Sequence, residues 1–397
     1  MTMVSEQARD VSAQALIRLA GIMLVGVSGS SGFLVVPLVV AALRKTGTVP
    51  ELWIGTIGSS DLAGMFAGAA LSLLPVVRLA PRRAVAAALM ISLVANACAL
   101  ASPPLVLLFL FRFLSGLGGG IALAMALTAL GRTRHPDRSF AVISILQMSF
   151  GMLASYLANA GLSGLGSIYQ TMFVTLALAL CMAWTFPATL EDMRHPNQTT
   201  GPRKLNRRLI ATIIVANMCS ACGFLVLWAN IEALARRAGI DPSHFVLLMD
   251  IGLIGGLAGT LLTIVIDGRP RRTLFACLYF GAGLLGALLF EVPLGPIMVF
   301  VAAFLFQLAP AAVCYGFGAI SESDPSGRLP IVHILSVKFG FTIAPIFGSV
   351  LVQHVGIGAV APASFLITLA AMLGYCLQIR EAERDIRSLQ HVPAPAR

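Results

Sequence analysis

The chain has 397 residues, of which 58% are hydrophobic and 11% charged, less than half the charge density of an ordinary soluble domain, about 25%. A mean hydropathy of +0.90 over the whole length requires apolar surface to face lipid as well as a core, which excludes soluble enzymes, disordered chains, fibres and disulfide scaffolds. The net charge of +10 is dispersed in short gaps between apolar runs, so it reads as membrane topology, and no nucleic-acid partner is expected.

A hydrocarbon core about 30 Å thick needs about 20 helical residues. Taken in order, twelve apolar segments meet that need: 16–43, 52–77, 84–102, 104–131, 139–163, 167–188, 208–231, 243–266, 273–290, 293–320, 329–354 and 360–379. Arg9 and Arg18 precede the first, whose apolar stretch from Leu19 to Leu43 is too long for a cleaved signal peptide and long enough to span. The longest polar interruption, Glu191 to Arg208, divides the spans six and six. The expected organisation is a cytoplasmic segment 1–15, a bundle 16–188, a cytoplasmic loop 189–207, a bundle 208–379 and a cytoplasmic tail 380–397. With both termini inside, 21 of the 27 Lys and Arg residues fall on the cytoplasmic side, four outside (Arg44, Lys45, Arg236, Arg237) and two within spans (Arg112, Lys338). The positive-inside rule therefore places both termini in the cytoplasm of a multi-pass protein, expected in a bacterial inner membrane. Seven cysteines lie in apolar runs. Cys219 and Cys222 have the C-x-x-C spacing but stand mid-helix without a second pair, so the cysteines read as small core residues and no metal site is expected.

The six-and-six division invites a search for an internal repeat. Asp61 is followed by Pro81-Arg82-Arg83 as Asp250 is followed by Pro270-Arg271-Arg272, at a displacement of 189 residues. Ile145-Leu146 with Phe150-Gly151 recurs at the same displacement as Ile334-Leu335 with Phe339-Gly340, and Pro136 as Pro325. Gly32-Phe33-Leu34-Val35 recurs as Gly223-Phe224-Leu225-Val226 at 191. Parallel six-helix repeats are a transporter plan.

Three stretches carry a family resemblance. Asp267-Gly268-Arg269-Pro270-Arg271-Arg272 lies between the eighth and ninth spans, with Thr263 at the position before it where a glycine is expected. Its first copy, Val77-Arg78-Leu79-Ala80-Pro81-Arg82-Arg83, lacks the acid. Arg112-Phe113-Leu114-Ser115-Gly116-Leu117-Gly118-Gly119-Gly120 occupies the fourth span. Together they resemble the major facilitator superfamily, whose loop signature approximates Gly-x-x-x-Asp-Arg-x-Gly-Arg-Arg and whose fourth helix carries Arg-x-x-x-Gly-x-Gly. The resemblance covers residues 16–379. It implies an all-α integral membrane fold of twelve transmembrane helices in two pseudo-symmetric six-helix bundles that rock about a central cavity. A monomer without a cofactor is expected. The loop residues Arg82, Arg83, Asp267, Arg271 and Arg272 are the implied gate.

Ionisable groups inside a membrane are costly and usually face a partner or a polar cavity. Here they are Asp61, Arg112, Asp250 and Lys338. In the resembled fold the second helix packs on the eleventh and the fifth on the eighth. At about 1.5 Å per residue, Asp61 and Lys338 each lie about 13 Å from a span end, so the two are expected to form a gating salt bridge. Asp250 would then face Ser149 and Gln147 without a cation, which makes it the leading proton carrier, with Asp61 and Arg112 as further coupling residues; hydrogen bonding at helix kinks is the structural alternative for both aspartates. Arg112, on a cavity-lining helix of the resembled fold, needs a carboxylate or an anionic solute. Asn217, Asn230, Gln307 and Tyr315 are further candidates for solute binding. The pairs Gly64 with Gly68, Gly116 with Gly120, and Gly255 with Gly259 have small-xxx-small spacing and read as helix contacts.

The leading functional reading is a proton-coupled secondary transporter of a small organic solute in the lipid bilayer. The alternative is a non-transporting membrane receptor or a membrane-embedded enzyme, although no G-x-x-x-x-G-K-[ST], H-E-x-x-H or G-x-S-x-G stretch occurs. The charge bias yields a topology test: reporter fusions after Arg208 and after Arg397 are both expected to be active only as cytoplasmic reporters, and periplasmic activity at either would overturn the assignment.

Overall fold

Backbone that crosses lipid must satisfy its amides internally, and the chain answers with helices, with no strand among the described residues. The computed structural model describes residues 2–46, 51–101, 103–133, 135–159, 164–189, 206–241, 244–266, 271–292, 295–324 and 328–390. In order, the spans are Thr2–Thr46, Glu51–Leu71, Pro81–Leu100, Leu105–Leu130, Pro136–Asn159, Gly164–Met182, Arg207–Trp228, Phe245–Val265, Arg272–Leu289, Pro296–Phe306 continued by Ala312–Ser323, Arg328–His354 and Val360–Gln390. Eleven of these positions are long and apolar enough to cross a membrane, and Glu51–Leu71 fills the remaining one. Short helices Pro75–Leu79 and Ile231–Arg237 connect spans. Leucines on the spans that face away from the packing, such as Leu178, Leu278 and Leu373, are more than half exposed, as lipid contact requires.

Local chemistry explains the element ends. Pro81, Pro136 and Pro296 each open a span, where the missing amide hydrogen would have no partner anyway. Asn206 caps the seventh span, its side-chain oxygen accepting from the Arg208 amide at 3.0 Å. The first and last helices run farther than expected, into the segments 1–15 and 380–397. At the C-terminal end Arg384 bonds Glu381 at 2.8 Å one turn away, a pairing that extends a helix in water. The tenth span breaks after Phe306 into a short 3-10 turn, Ala309–Ala311. Pro310 supplies no amide to the Phe306 carbonyl, and its ring crowds that carbonyl.

The chain forms two compact units. The first comprises Met1–Leu130 with Leu153–His195. Ser28 of the first span donates to the Thr175 carbonyl of the sixth at 3.1 Å, and Arg82 Nε donates to the Phe186 carbonyl at 2.7 Å. The second and fourth spans meet through glycine: a Cβ on Gly64 would strike the Phe113 carbonyl, one on Gly68 the Leu117 carbonyl, one on Gly116 the Asp61 backbone and one on Gly120 the Met65 backbone. The two small-xxx-small pairs thus interlock with each other, as the spacing predicts.

The second unit comprises Gly131–Met152 with Pro196–Arg397. The expected division at the central loop differs in one place, because the N-terminal part of the fifth span groups here. Phe140 packs edge-on against Phe317 at 4.0 Å, and the Met148 thioether lies against Gly256. The core joins the seventh, ninth, tenth and twelfth spans through Ala216, Tyr279, Phe280, Tyr315, Tyr375 and Ile379. Gly255 meets the Phe304 backbone and Gly259 meets Leu308 and Ala311, so the eighth and tenth spans repeat the contact of the second and fourth. Crowding makes these contacts intolerant: Gly64→Val and Gly120→Val are expected to cost about 1–3 kcal/mol each, read as a lowered melting temperature in detergent. Gly166→Val, where a Cβ meets nothing within 4 Å, should melt like the parent.

Candidate functional site

The close approach of the second and fourth spans brings Asp61 and Arg112 together. The two form an ion pair between Oδ2 and Nη2, with each side chain 2% exposed. Arg112 Nη1 donates to Asn96 Oδ1 at 3.1 Å and reaches Met172 Sδ at 3.7 Å, and its guanidinium stands 5.2 Å from the centre of the Tyr169 ring. The third span holds Asn96 in place. Its amide donates to the Ser92 carbonyl at 2.8 Å and to Ser115 Oγ at 2.7 Å, while Ser92 Oγ donates to the Ser115 carbonyl at 2.8 Å. Gly32 of the first span lies so near the Asp61 carboxylate that a side chain there would collide with it.

One half of the carboxylate is left over. Asp61 Oδ1 is buried without a hydrogen-bond partner among the described residues, and Asp61 lines a tight polar pocket with Ser28, Ser31, Ser92 and Ser115. The site therefore has a neutral ion pair, a spare acceptor and a fringe of hydroxyl groups, all within the first unit.

The partner assigned to Asp61 by depth was Lys338; the partner that the structure gives it is Arg112, one helix contact away within the same unit. Lys338 belongs to the second unit, 5% exposed, with its ammonium 5.6 Å from the centre of the Phe341 ring. The repeat register also changes. Gly64 and Gly68 meet Phe113 and Leu117 as Gly255 and Gly259 meet Phe304 and Leu308, a displacement of 191 throughout. Asp61 therefore corresponds to Gly252 and Arg112 to Ala303, and Asp250 lies two residues off the position of Asp61, on another face of its helix. Gly252 is covered by the Trp228 ring and the Gln307 side chain, so the second unit has packing where the first has charge. Asp250 is partly buried, and its Oδ1 has no partner among the described residues.

The remaining candidates fall into three settings. Asn217 is fully buried and consumed by packing: its amide donates to the Ile213 carbonyl at 2.7 Å and to Gln378 Oε1 at 3.3 Å, and its oxygen accepts from the Tyr375 hydroxyl. Tyr315 is fully buried too, stacked with Phe275 at 5.6 Å and Tyr279 at 6.1 Å. Asn230 turns back on its own helix end, donating to the Val226 carbonyl at 2.9 Å. Gln307 is buried at the break in the tenth span, against Gly252 and Gly256. Among the residues expected at the gate, Arg272 is buried between two acids, with Nη2 2.8 Å from Asp137 Oδ2 and Nη1 2.9 Å from Glu322 Oε2. Gly318 leaves the room that the Asp137 carboxylate needs. Arg82, Arg83 and Arg271 are exposed, and Asp267 lies outside the described residues.

Asn96, Tyr169, Asp137 and Glu322 were not singled out in the sequence. For the two acids a signal existed. Each stands beside the end of a span on the side where Arg272 also lies if the spans alternate, and a buried arginine at a span end needs such partners.

Comparison with known proteins bears on the whole architecture. A profile of the Major Facilitator Superfamily matches residues 19–325. Among solved structures, the proton:xylose symporter XylE bound to 6-bromo-6-deoxy-D-glucose superposes with a TM-score of 0.66 at 15% identity, over 91% of this chain and 94% of that one. The human organic anion transporter MFSD10 (TETRAN) superposes with a TM-score of 0.69 at 13% identity, over 91% of this chain and 99% of that one. At such identities the likeness shows the fold. Among curated proteins, none matches the chain in sequence.

The pair also makes a stability prediction. Removing one buried charge strands the other, so Asp61→Ala and Arg112→Ala are each expected to cost about 3–5 kcal/mol, while the double variant loses less than the sum. Thermal unfolding in detergent checks this; strictly additive losses would mean that the two charges do not interact.

Proposed function

Because the chain belongs to the major facilitator superfamily, whose members are transporters rather than enzymes, we propose that it is a proton-coupled secondary transporter that moves a small organic solute by alternating access. It works as a monomer with both termini cytoplasmic. The observation that carries the reading is the buried Asp61 and Arg112 pair with its spare carboxylate oxygen. A guanidinium keeps its proton under all ordinary conditions, so the carboxylate is the half that titrates. Protonating Asp61 turns a neutral pair into a site of net charge of about +1, in surroundings that solvate charge poorly. Arg112 then needs another anion. A carboxylate or similar group on the solute meets that need, which links proton uptake to solute binding.

Two further elements support the same cycle. Asp250 offers a second carboxyl group with an unsatisfied oxygen, and Lys338 a second buried cation, so the coupling and solute-binding roles are shared between Asp61, Arg112, Asp250 and Lys338. Arg272 with Asp137 and Glu322 ties three span ends of the second unit, a latch that opens only by separating buried charges. Arg82, Arg83, Asp267 and Arg271 belong to the same loops. XylE carries a sugar with protons and MFSD10 carries organic anions, so a solute panel should contain both classes; the two intramembrane cations favour anionic or zwitterionic members.

Proteoliposomes under an imposed pH difference provide the test, with internal pH and labelled solute followed together. The parent is expected to accumulate or expel one member of the panel and to lose that ability with a protonophore. Asp61→Asn, which mimics the permanently protonated acid, should abolish concentration against a gradient while keeping solute exchange. If Asp61→Asn concentrates solute as the parent does, the coupling role passes from Asp61 to Asp250, and Asp250→Asn in the same assay decides it. Binding without any flux would favour the receptor reading instead.

A further inference from the structure

Cys277 of the ninth span and Cys376 of the twelfth stand with their sulfurs 3.2 Å apart, although 99 residues separate them in the chain. The two helices are held at this distance by packing that owes nothing to the cysteines: Phe280 lies against Tyr375, rings 5.1 Å apart, in the core that also contains Ala276 and Ile379. Both thiols are free and partly buried. Their surroundings match. Cys277 is flanked by Leu274 and Leu278, and Cys376 by Leu373 and Leu377, each of these leucines at least half exposed. Each sulfur thus borders the strip of its helix that faces lipid. Cys219 and Cys222, by contrast, lie on one helix, Cys314 is buried, and Cys181 is exposed on the sixth span.

We infer that Cys277 and Cys376 form a redox-modifiable pair, oxidised to a disulfide by a lipid-soluble quinone that reaches them from the bilayer. The step balances as a two-electron exchange. Two S–H bonds break and one S–S bond forms, and the two electrons and two protons reduce the quinone to its hydroquinone. A thiol reductant reverses the reaction by exchange through a mixed disulfide. Because the sulfurs stand 3.2 Å apart, closure requires only a small further approach of the two side chains. The product ties the ninth span to the twelfth and encloses the tenth and eleventh spans in a covalent loop. Such a loop restricts the unfolded chain more than the folded one, so the oxidised protein should resist unfolding.

The test uses the full chain in proteoliposomes, with duroquinone as oxidant. After quenching with iodoacetamide, non-reducing digestion and mass spectrometry are expected to yield a peptide pair joined through Cys277 and Cys376, while Cys181 is alkylated. The melting temperature should rise by several degrees on oxidation and return with dithiothreitol. Neither change should occur in Cys277→Ser or Cys376→Ser. The parent measurement stands by itself if a serine variant folds poorly. Alkylation of both thiols in the quinone-treated parent, a disulfide that joins either cysteine to another partner, or a correct disulfide that leaves the melting temperature unchanged would each overturn the proposal.

Discussion

A guanidinium inside lipid has no water to solvate it and no means of losing its charge, and much of the first unit is arranged around that constraint. Arg112 needs a carboxylate within contact distance, so the second and fourth spans must approach until backbones touch. Glycine permits this. Gly116 rests on the backbone of Asp61 itself, so the residue that allows the approach also fixes the depth of the acid. Asn96, positioned by Ser92 and Ser115, takes one of the remaining guanidinium donors, and the Tyr169 ring covers its face. Packing and charge are one design here: a bulkier residue at Gly64 or Gly116 would separate the pair even though neither glycine touches the guanidinium.

The second unit keeps the scaffold of this arrangement and discards its charges. Gly255 and Gly259 set the eighth span against the tenth as Gly64 and Gly68 set the second against the fourth, but Gly252 and Ala303 stand at the places of Asp61 and Arg112. Ionic pairing appears instead at the span ends, around Arg272. There the contrast reverses, since Arg83, at the corresponding place in the first copy of the loop, is exposed and follows a loop that lacks the acid. Among the described residues, the Arg112 cluster of the first unit thus lies within a span and the Arg272 cluster of the second at span ends. A duplicated scaffold with charge placed at different depths gives the two units different chemistry from the same helix contacts.

How much of this was legible in the sequence depends on the kind of interaction. The spans, the two halves and the interlocking glycines follow from hydropathy and spacing, because lipid imposes a length and close helix contact imposes small residues. The intramembrane charges were equally visible, yet their pairing was not. Depth along a span is shared by every residue at that level, so it places Asp61 level with Lys338 as readily as with Arg112; rotation about the helix axis decides, and a two-residue shift turns a side chain through about 200°. The same shift separates the displacement of 189 that relates Asp61 to Asp250 from the 191 that relates the glycine contacts of the spans. Asn217 and Tyr315 have side-chain partners that spacing alone does not show. Polar residues on an inner helix look like cavity lining until the partners on the ninth and twelfth spans are known.

The broken tenth span has a mechanical consequence. A continuous helix resists bending because any curvature stretches bonds along its ladder. Between Phe306 and Ala312 the ladder is already interrupted, held by short bonds such as Leu308 to Leu305 at 3.1 Å and Ala311 to Leu308 at 3.0 Å. The two rods on either side, Pro296–Phe306 and Ala312–Ser323, are coupled through a compliant joint. The far rod ends beside Glu322, which grips Arg272, and the joint itself presents Gln307 to the smooth glycine face of the eighth span. A displacement at the Arg272 end of the far rod is thus passed along a stiff segment to a soft elbow within the tenth span.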